Sequence, residues 1–502
     1  MNFSIHRDES AGGIERLRFD QGPIYPVSCG RNWGYGGARP TAAGGEVLDL
    51  SGMTRVVDFD DELGLVTVEP GVTQGDLYRF LQERGGRWIV PTSGAGPTAS
   101  VLGNALERGY GLAAHGDHFG AVTAIEAILP DGSRYRGALS ELGGEKLDRA
   151  FKWGLGPYVD GLFTQGNFGV VVRATIALAP KPEKAAAILF RLDDDAAVPA
   201  AVDAVRELLH RCPAGIQAIN LMNDRRVLSM IEPYPDEVPD DAVMDEATVR
   251  RLRGKHGLGA WMGFGVIAGP RGVCDAVRRE AKRVLRGRVK GLRLVSHAST
   301  RRLRRVLTPV PGDGAAALRR KLKGLGEALD NASGVPSEVA LPLCYWRFGL
   351  KPRPGEPMDP ERDGCGLKWY SPLVPMHGET AAAYAAMVRE VTPGFGIEPL
   401  ITLTTVSPRC FDSTVPLLFN RASDDGPARA RSCYDALFDR GRAMGLLPYR
   451  VGVDDMDKIR VPGSPYWEMV TRLKRAIDPG DLISPGRYVP PLSKPTAGVG
   501  HP

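Results

Sequence analysis

The stretch Pro26-Val-Ser-Cys-Gly-Arg-Asn-Trp-Gly-Tyr-Gly-Gly37 decides the reading of this chain. It leaves a strand-like segment, Pro23–Ser28, and becomes dense in glycine at Gly30, Gly34, Gly36 and Gly37. Glycine tolerates positive φ and carries no Cβ, so successive backbone N–H groups can converge into a nest for an anion, with a diphosphate as the obvious guest. A plain cluster of tight turns is the competing reading. No G-x-G-x-x-G occurs, which disfavours a Rossmann nucleotide site.

Outward from this loop, Val47–Leu50 reads as a buried strand, and Leu65-Val-Thr-Val-Glu69 alternates with period two until Pro70-Gly71 ends it. Thr73 with Asp76 resembles a capping box; Leu77, Phe80 and Leu81 supply a helical stripe, and Gly85-Gly86 stops it. A second small-residue cluster follows from Val90 to Asn104, then Glu107-Arg-Gly-Tyr-Gly111 and His115-Gly-Asp-His118. Two such loops suit a long ligand with a flat ring lying over backbone. His115, Asp117 and His118 lack a further ligand at metal-site spacing, so no metal is expected and the triplet reads as a polar turn.

After Pro180-Lys-Pro-Glu the texture changes to longer units: strands at Ala186–Leu192, Trp261–Ala268 and Leu292–His297, helices at Ala200–Arg211 and Val273–Arg286, then Leu367–Pro372, Glu379–Val391 and Glu398–Val406. Strand and helix repeated in this way imply a sheet with helices on one face, an α+β layer. Gly312–Pro336 and Lys351–Gly364 read as exposed connections. The basic run from Arg278 to Arg305 has Val273, Val277 and Val284 at helical spacing and no interleaved aromatics, so it reads as a solvated helix face and no nucleic acid is expected.

At 502 residues the chain exceeds what one core usually organises. Its net charge of +5 concerns solubility rather than fold. Its apolar runs are too short for a membrane span. The charged N-terminal residues do not suit a secretory signal, and a cytoplasmic location is expected. The seven scattered cysteines read as reduced thiols.

Several motifs in order resemble the vanillyl-alcohol oxidase and p-cresol methylhydroxylase family of FAD enzymes: Ser28–Ala38, Ser100–Gly111, Gly116-Asp-His-Phe119, Gly154–Val171 and Ala476–Arg487, with Phe3–Ser10 similar to its first strand and turn and the usual leader absent. The resemblance implies an α+β fold: a two-part FAD-binding domain, residues 1–183 with 446–502, and a central α+β cap over 184–445 that supplies the substrate pocket. It implies that Ser28, Cys29, Gly30, Arg31, Asn32, Gly34, Tyr35, Gly36 and Gly37 hold the FAD pyrophosphate. Thr92, Ser93 and Gly94, with Ser100, Val101, Gly103 and Asn104, would lie near the flavin. Gly169, Val170 and Val171 would approach the adenine half by backbone, and Arg487 would support the flavin. Tyr35, Tyr449 and Arg450 match the family's phenolate-binding residues; two phenolic donors and a guanidinium can stabilise an oxyanion and promote hydride loss at the para carbon. The implied partners are a small phenolic or aromatic substrate and oxygen or another electron acceptor, with a homodimer as a candidate assembly.

Two departures from the family pattern matter. Thr92-Ser93 stands where members carry an aspartate that activates water or an alcohol, and neither hydroxyl is a base at neutral pH without a partner. From the sequence, a reaction needing no activated water is expected, and Thr92→Asp is expected to raise activity on simple alkylphenols. The tether positions, a histidine in the family, are Leu367 and Arg31, so FAD is expected to be bound non-covalently. A non-phenolic hydroxy acid, alcohol or amine substrate, and a non-catalytic flavin-binding module, are the alternatives.

Overall fold

The computed structural model describes residues 6–8, 13–16, 22–42, 44–307 and 313–492. The segment leading into the glycine loop, Ile24–Val27, pairs in parallel with Glu46–Asp49. Ile24 also joins the far end of the chain: its N–H donates to Leu482 O at 2.7 Å, and Ser484 N–H donates to its carbonyl at 2.8 Å. Ile483 accordingly packs in one core with Ile24, Leu48, Leu50, Val170 and Val172. Lys474 holds this closure. Its ammonium is fully buried and donates to Asp478 Oδ2 at 2.5 Å, to Asn167 O at 2.7 Å and to Ile483 O at 3.0 Å. A buried lysine persists only when its donors are spent in this way.

Beside it lies a five-stranded antiparallel sheet in the order Val56–Asp60, Leu65–Val68, Val170–Ala177, Val122–Ile128, Arg134–Tyr135. The alternation at Leu65–Val68 suggests one wet face, but Val66 and Val68 are inaccessible and Thr67 is also buried, its hydroxyl 2.8 Å from that of Thr175. The strand is flanked on both sides and covered on both faces. Helix Gln74–Glu83 starts at the expected capping box of Thr73 and Asp76, buries Leu77 and Leu81 and ends before Gly85 and Gly86, both at positive φ.

The middle of the chain builds an eight-stranded antiparallel sheet. Its order is Lys290–Ser296, Lys184–Leu192, Trp261–Gly269, Ile216–Asn223, Thr402–Ser407, Cys410–Phe419 and Gly366–Tyr370, with Leu373–Pro375 also pairing to Cys410–Phe419. Helices Val198–Arg211, Arg271–Leu285, Gly378–Val391 and Gly426–Ala443 bury their apolar stripes on one face against Ile219, Leu221, Leu403 and Phe411. This is the expected α+β layer. In Arg271–Leu285 the buried stripe is Cys274, Val277, Ala281 and Val284, whereas Val273 is exposed.

Gly312–Pro336, expected as an exposed connection, instead contains the helix Asp313–Ala332. Leu329 and Ala332 pack on the second face of the large sheet against Ala185, Ala187, Val266 and Ala268. Gly324 and Gly326 each cost about 1 kcal/mol of helix propensity, and burial of Leu322, Leu325 and Leu329 on one stripe overrides that. Lys351–Gly364 has no helix or strand, as expected. Of Phe3–Ser10, only His6–Asp8 lies among the described residues, as a strand paired with Gly13–Arg16. No helix among the described residues is long and apolar enough to cross a membrane, and none of their His, Cys, Asp and Glu side chains group for a metal ion.

Candidate active site

The glycine loop is shaped by contacts that leave no room for side chains. Gly30, Gly34, Gly36 and Gly37 all have positive φ. A Cβ on Gly34 would overlap the Trp369 indole, and one on Gly36 would overlap Val453. Tyr35 and Gly37 donate their N–H groups to Asn32 O, each at 3.1 Å, whereas those of Gly30, Arg31, Asn32 and Gly34 make no hydrogen bond to another described residue. Unspent donors converging over a glycine surface are what a diphosphate requires. Arg31 is ion-paired with Asp359, and Cys29 donates to Gly71 O at 3.7 Å with burial pushing its thiol up to about 11. The loop therefore holds these two side chains in protein contacts and leaves its backbone for a ligand.

The second loop is clamped from behind. Gln74, fully buried, accepts from Ser93 N–H at 3.0 Å and donates to Ser93 Oγ at 2.9 Å. Ser100 caps helix Val101–Leu106 by accepting from Gly103 N–H at 2.9 Å, and its hydroxyl donates to Pro70 O at 2.6 Å. Gly103 admits Ser28 at a distance no Cβ would allow. Gly94 lies beside Ala340, and the Asn104 amide meets the ring of His118. The Thr92 hydroxyl donates to Asn331 O at 2.7 Å, so it is spent on the end of helix Asp313–Ala332. The expected polar turn at His115–His118 needs correction at its last residue. His118 is buried, burial pushes its imidazole down to about 4, and its Nε2 has no partner.

Gly169, Val170 and Val171 sit at the start of a central strand, and both valine side chains are core residues, leaving only backbone for a ligand. The nearby Asn167 donates to Ser484 O at 3.0 Å while its buried Oδ1 has no partner. Arg487 bonds the Tyr25 hydroxyl and Glu107.

Tyr35, Tyr449 and Arg450, separated by more than four hundred positions in sequence, are brought together. The Arg450 guanidinium lies 4.3 Å from the Tyr35 ring centroid, bonds the Asn32 amide and approaches Glu107 Oε2 at 3.2 Å, with its Nε unaligned for a hydrogen bond. Tyr35 Oη is 2.7 Å from Ser371 Oγ, and the Tyr449 ring packs edge-on against Tyr110 at 5.4 Å. Burial pushes the Tyr35 phenol up to about 12, opposed by Arg450, and pushes Tyr449 far above the usual phenol range, with Asp412 adding to it. Both hydroxyls are therefore donors at neutral pH.

Three further residues belong to this cluster although sequence reading did not select them. Glu107 contacts both Arg450 and Arg487, so one negative charge is shared between two cations and the trio keeps a net charge of about +1. Ser371 holds the Tyr35 hydroxyl. Asp412 is 4% exposed, its Oδ1 has no partner, and burial raises its carboxyl far above the usual range against the lowering pull of Arg450. Glu107 sits inside a quoted motif and could have been found there. Asp412, in the otherwise uncharged run Cys410–Phe419, signals itself only as a carboxylate where a strand should be neutral.

Residues 13–137 match the model of an FAD binding domain. The chain is 36% identical over 469 residues to 1'-carboxy-chondrochloren decarboxylase of Chondromyces crocatus, covering 93% of this chain and 86% of that one. It is 26% identical to the flavoprotein subunit of 4-cresol dehydrogenase (hydroxylating) of Pseudomonas putida, over 93% and 82% of the two chains. Among solved structures, p-cresol methylhydroxylase with substrate bound superposes with a TM-score of 0.81 at 26% identity, covering 93% of this chain and 84% of that one. A glycine cradle with unspent N–H groups, a buried cluster of two tyrosines and an arginine, and these full-length similarities lead to one assignment: the chain belongs to the vanillyl-alcohol oxidase and p-cresol methylhydroxylase family of FAD-dependent oxidoreductases.

Proposed function

We propose that this enzyme oxidises a para-substituted phenol, held as phenolate by Tyr35, Tyr449 and Arg450. The observation that carries the reading is the convergence of two protonated phenols and a guanidinium, with the buried Asp412 carboxyl within electrostatic reach of all three. The backbone of Ser28–Gly37, the second small-residue loop, Gly169–Val171 and Arg487 would hold FAD without a covalent tether, and FAD so held would supply a two-electron acceptor for hydride. In this reading residues 1–183 and 446–502 form the cofactor domain and 184–445 the cap, and oxygen or another acceptor takes the electrons in the cytoplasm.

The chain's own residues set the charge balance. Arg450 and the two tyrosine hydroxyls favour the ionised phenol, which pushes electron density toward the para carbon. Asp412, kept protonated by burial, is a further donor to the substrate oxygen, as buried neutral carboxyls can be. Glu107 offsets the second positive charge, that of Arg487, so the pocket does not carry two unbalanced cations.

A second reading concerns the product. With the Thr92 hydroxyl spent on Asn331, no carboxylate stands at that position to activate water. Loss of carbon dioxide requires none: hydride leaves the benzylic carbon, and the electron pair of the adjacent C–CO2 bond forms the alkene and restores the aromatic ring. Oxidative decarboxylation of a carboxylated phenol is thus favoured over hydroxylation, in keeping with the decarboxylase similarity. Anaerobic flavin bleaching across alkylphenols, carboxylated phenols, alcohols, hydroxy acids and amines tests both readings. Bleaching by non-phenols alone overturns the first, and faster bleaching by alkylphenols that give benzylic alcohols overturns the second.

A further inference from the structure

Arg225 and Arg226 are neighbours with opposite environments. Arg225 is neutralised by Glu398 and Glu246, each at 2.7 Å. Arg226 has no carboxylate within ion-pair distance among the described residues; its guanidinium donates to Ser229 Oγ at 3.2 Å, and its Nε is buried without a partner. The nearest acid is the thiol of Cys344, which burial pushes up to about 12 and so keeps neutral. Burial lowers the Arg226 guanidinium to about 10, which still leaves it cationic at neutral pH. The side chain is largely enclosed by protein.

The large sheet relates Arg226 to the phenol end. Directly paired residues of antiparallel strands share a face. Asn220 pairs with Thr404, and Thr404 with Asp412; one step along, Met222 pairs with Thr402, and Thr402 with Thr414. These side chains lie on the face opposite the helix-covered Ile219, Leu221 and Leu403. Along it runs a series of buried polar atoms without partners: Asp412 Oδ1, Asn220 Oδ1 and Thr402 Oγ1. The two rows are about 7 Å apart, the span of a phenol ring and its first substituent atoms. Beyond Met222, Asn223 turns the chain into helix Asp224–Ile231 by accepting from Arg226 N–H at 3.1 Å. The Arg226 guanidinium is within electrostatic reach of Cys344 in the turn Leu341–Tyr345, and Ala340, which precedes that turn, lies against Gly94 of the second small-residue loop. Chain continuity thus places the lone cation beyond the Met222 end of the polar lane, on the side of the second small-residue loop. Buried polar atoms are nearly always satisfied, and a row of unsatisfied ones ending in an unneutralised cation marks a place for a polar anionic guest.

We infer that Arg226 forms the far end of the substrate pocket and receives a carboxylate on the substituent para to the phenol. This rests on the proposed phenol reading for its near end only. It makes Arg226 a specificity residue: a neutral substituent would leave a buried guanidinium unpaired, a costly arrangement.

The test uses the FAD-loaded enzyme and dissociation constants from perturbation of the flavin absorbance. 3-Phenylpropanoate and 3-phenylpropanamide differ at the carboxylate and carry no phenol, and 4-propylphenol carries a phenol and no carboxylate. The wild type should bind the acid at least about tenfold more tightly than the amide, as a charge-assisted contact allows. In Arg226→Met this ratio should fall to about one, and Arg226→Lys should keep part of it. Equal binding of acid and amide by the wild type, or a preference that survives in FAD-loaded Arg226→Met, overturns the assignment. Failure of 4-propylphenol to bind counts against the phenol reading alone, because the acid and amide pair does not depend on it.

Discussion

The Arg450 guanidinium stacks on the Tyr35 ring at 4.3 Å from its centroid, placing a permanent cation against a phenol that burial holds protonated. The stacking fixes the guanidinium plane, and its Nε retains an unaligned donor. Replacing it by methionine preserves much of the volume and deletes the charge. Arg450→Met is expected to slow anaerobic flavin reduction by 4-propylphenol by about 100- to 1,000-fold, the scale of a lost oxyanion donor. Arg450→Lys should recover little, because an ammonium neither stacks nor presents a planar fork. Stopped-flow reduction of FAD-loaded variants measures this; an unchanged rate in Arg450→Met would assign the residue to packing.

Asp412 gives the site a pH dependence of definite sign. Its carboxyl is held protonated by burial, so it is neutral below its raised pKa and becomes an anion as pH rises through it. Ionisation places a negative charge in the proposed phenolate pocket, so affinity for 4-propylphenol should decline on the alkaline side. Asp412→Asn keeps a neutral donor of the same shape and should lack that decline. Binding titrations from neutral to alkaline pH distinguish the two; identical profiles for wild type and Asp412→Asn would remove Asp412 from the substrate site.

The position of Thr92 reverses what its sequence context suggests. Its hydroxyl donates to the Asn331 carbonyl at 2.7 Å, so an aspartate there would face an acceptor with a second acceptor. Thr92→Asp is expected to cost about 1–3 kcal/mol through an unsatisfied buried group and to bring no gain in activity on alkylphenols. Denaturant melts together with product analysis check both parts, and a stable variant that hydroxylates faster would refute this placement.

Neither tether position carries a histidine: Leu367 packs in an apolar cluster and Arg31 is bound to Asp359. Acid precipitation should therefore release the flavin into the supernatant. Flavin retained in the precipitate after washing would establish a covalent bond.

The glycine loop was legible in the sequence because a positive-φ cradle can be made by few residues other than glycine, and the Thr73–Asp76 cap because its chemistry is local. Helix Asp313–Ala332 was hidden since Gly324, Gly326 and the charges around them obscure a stripe that only the far face of the large sheet completes. Asp412 and Arg226 were hidden for a different reason. Nothing beside them in the chain distinguishes them, and their character comes from what strand pairing brings near Asp412 and from what it fails to bring near Arg226. Local chemistry can be read from a sequence, whereas an unpaired charge is defined by distant residues.

The closure at Ile24 has a consequence for how the holoenzyme comes into being. The strand that launches the glycine loop is completed by Leu482 and Ser484, and the buried Lys474 fastens that region to Asn167. During synthesis the first of these partners waits for more than four hundred residues to emerge before the second exists. Contacts so distant in sequence form slowly, so a nascent chain lacking its final stretch has an unfinished cradle. Flavin acquisition is then expected to follow synthesis of the chain, with FAD acting on the finished polypeptide as a ligand that traps the closed ring of chain.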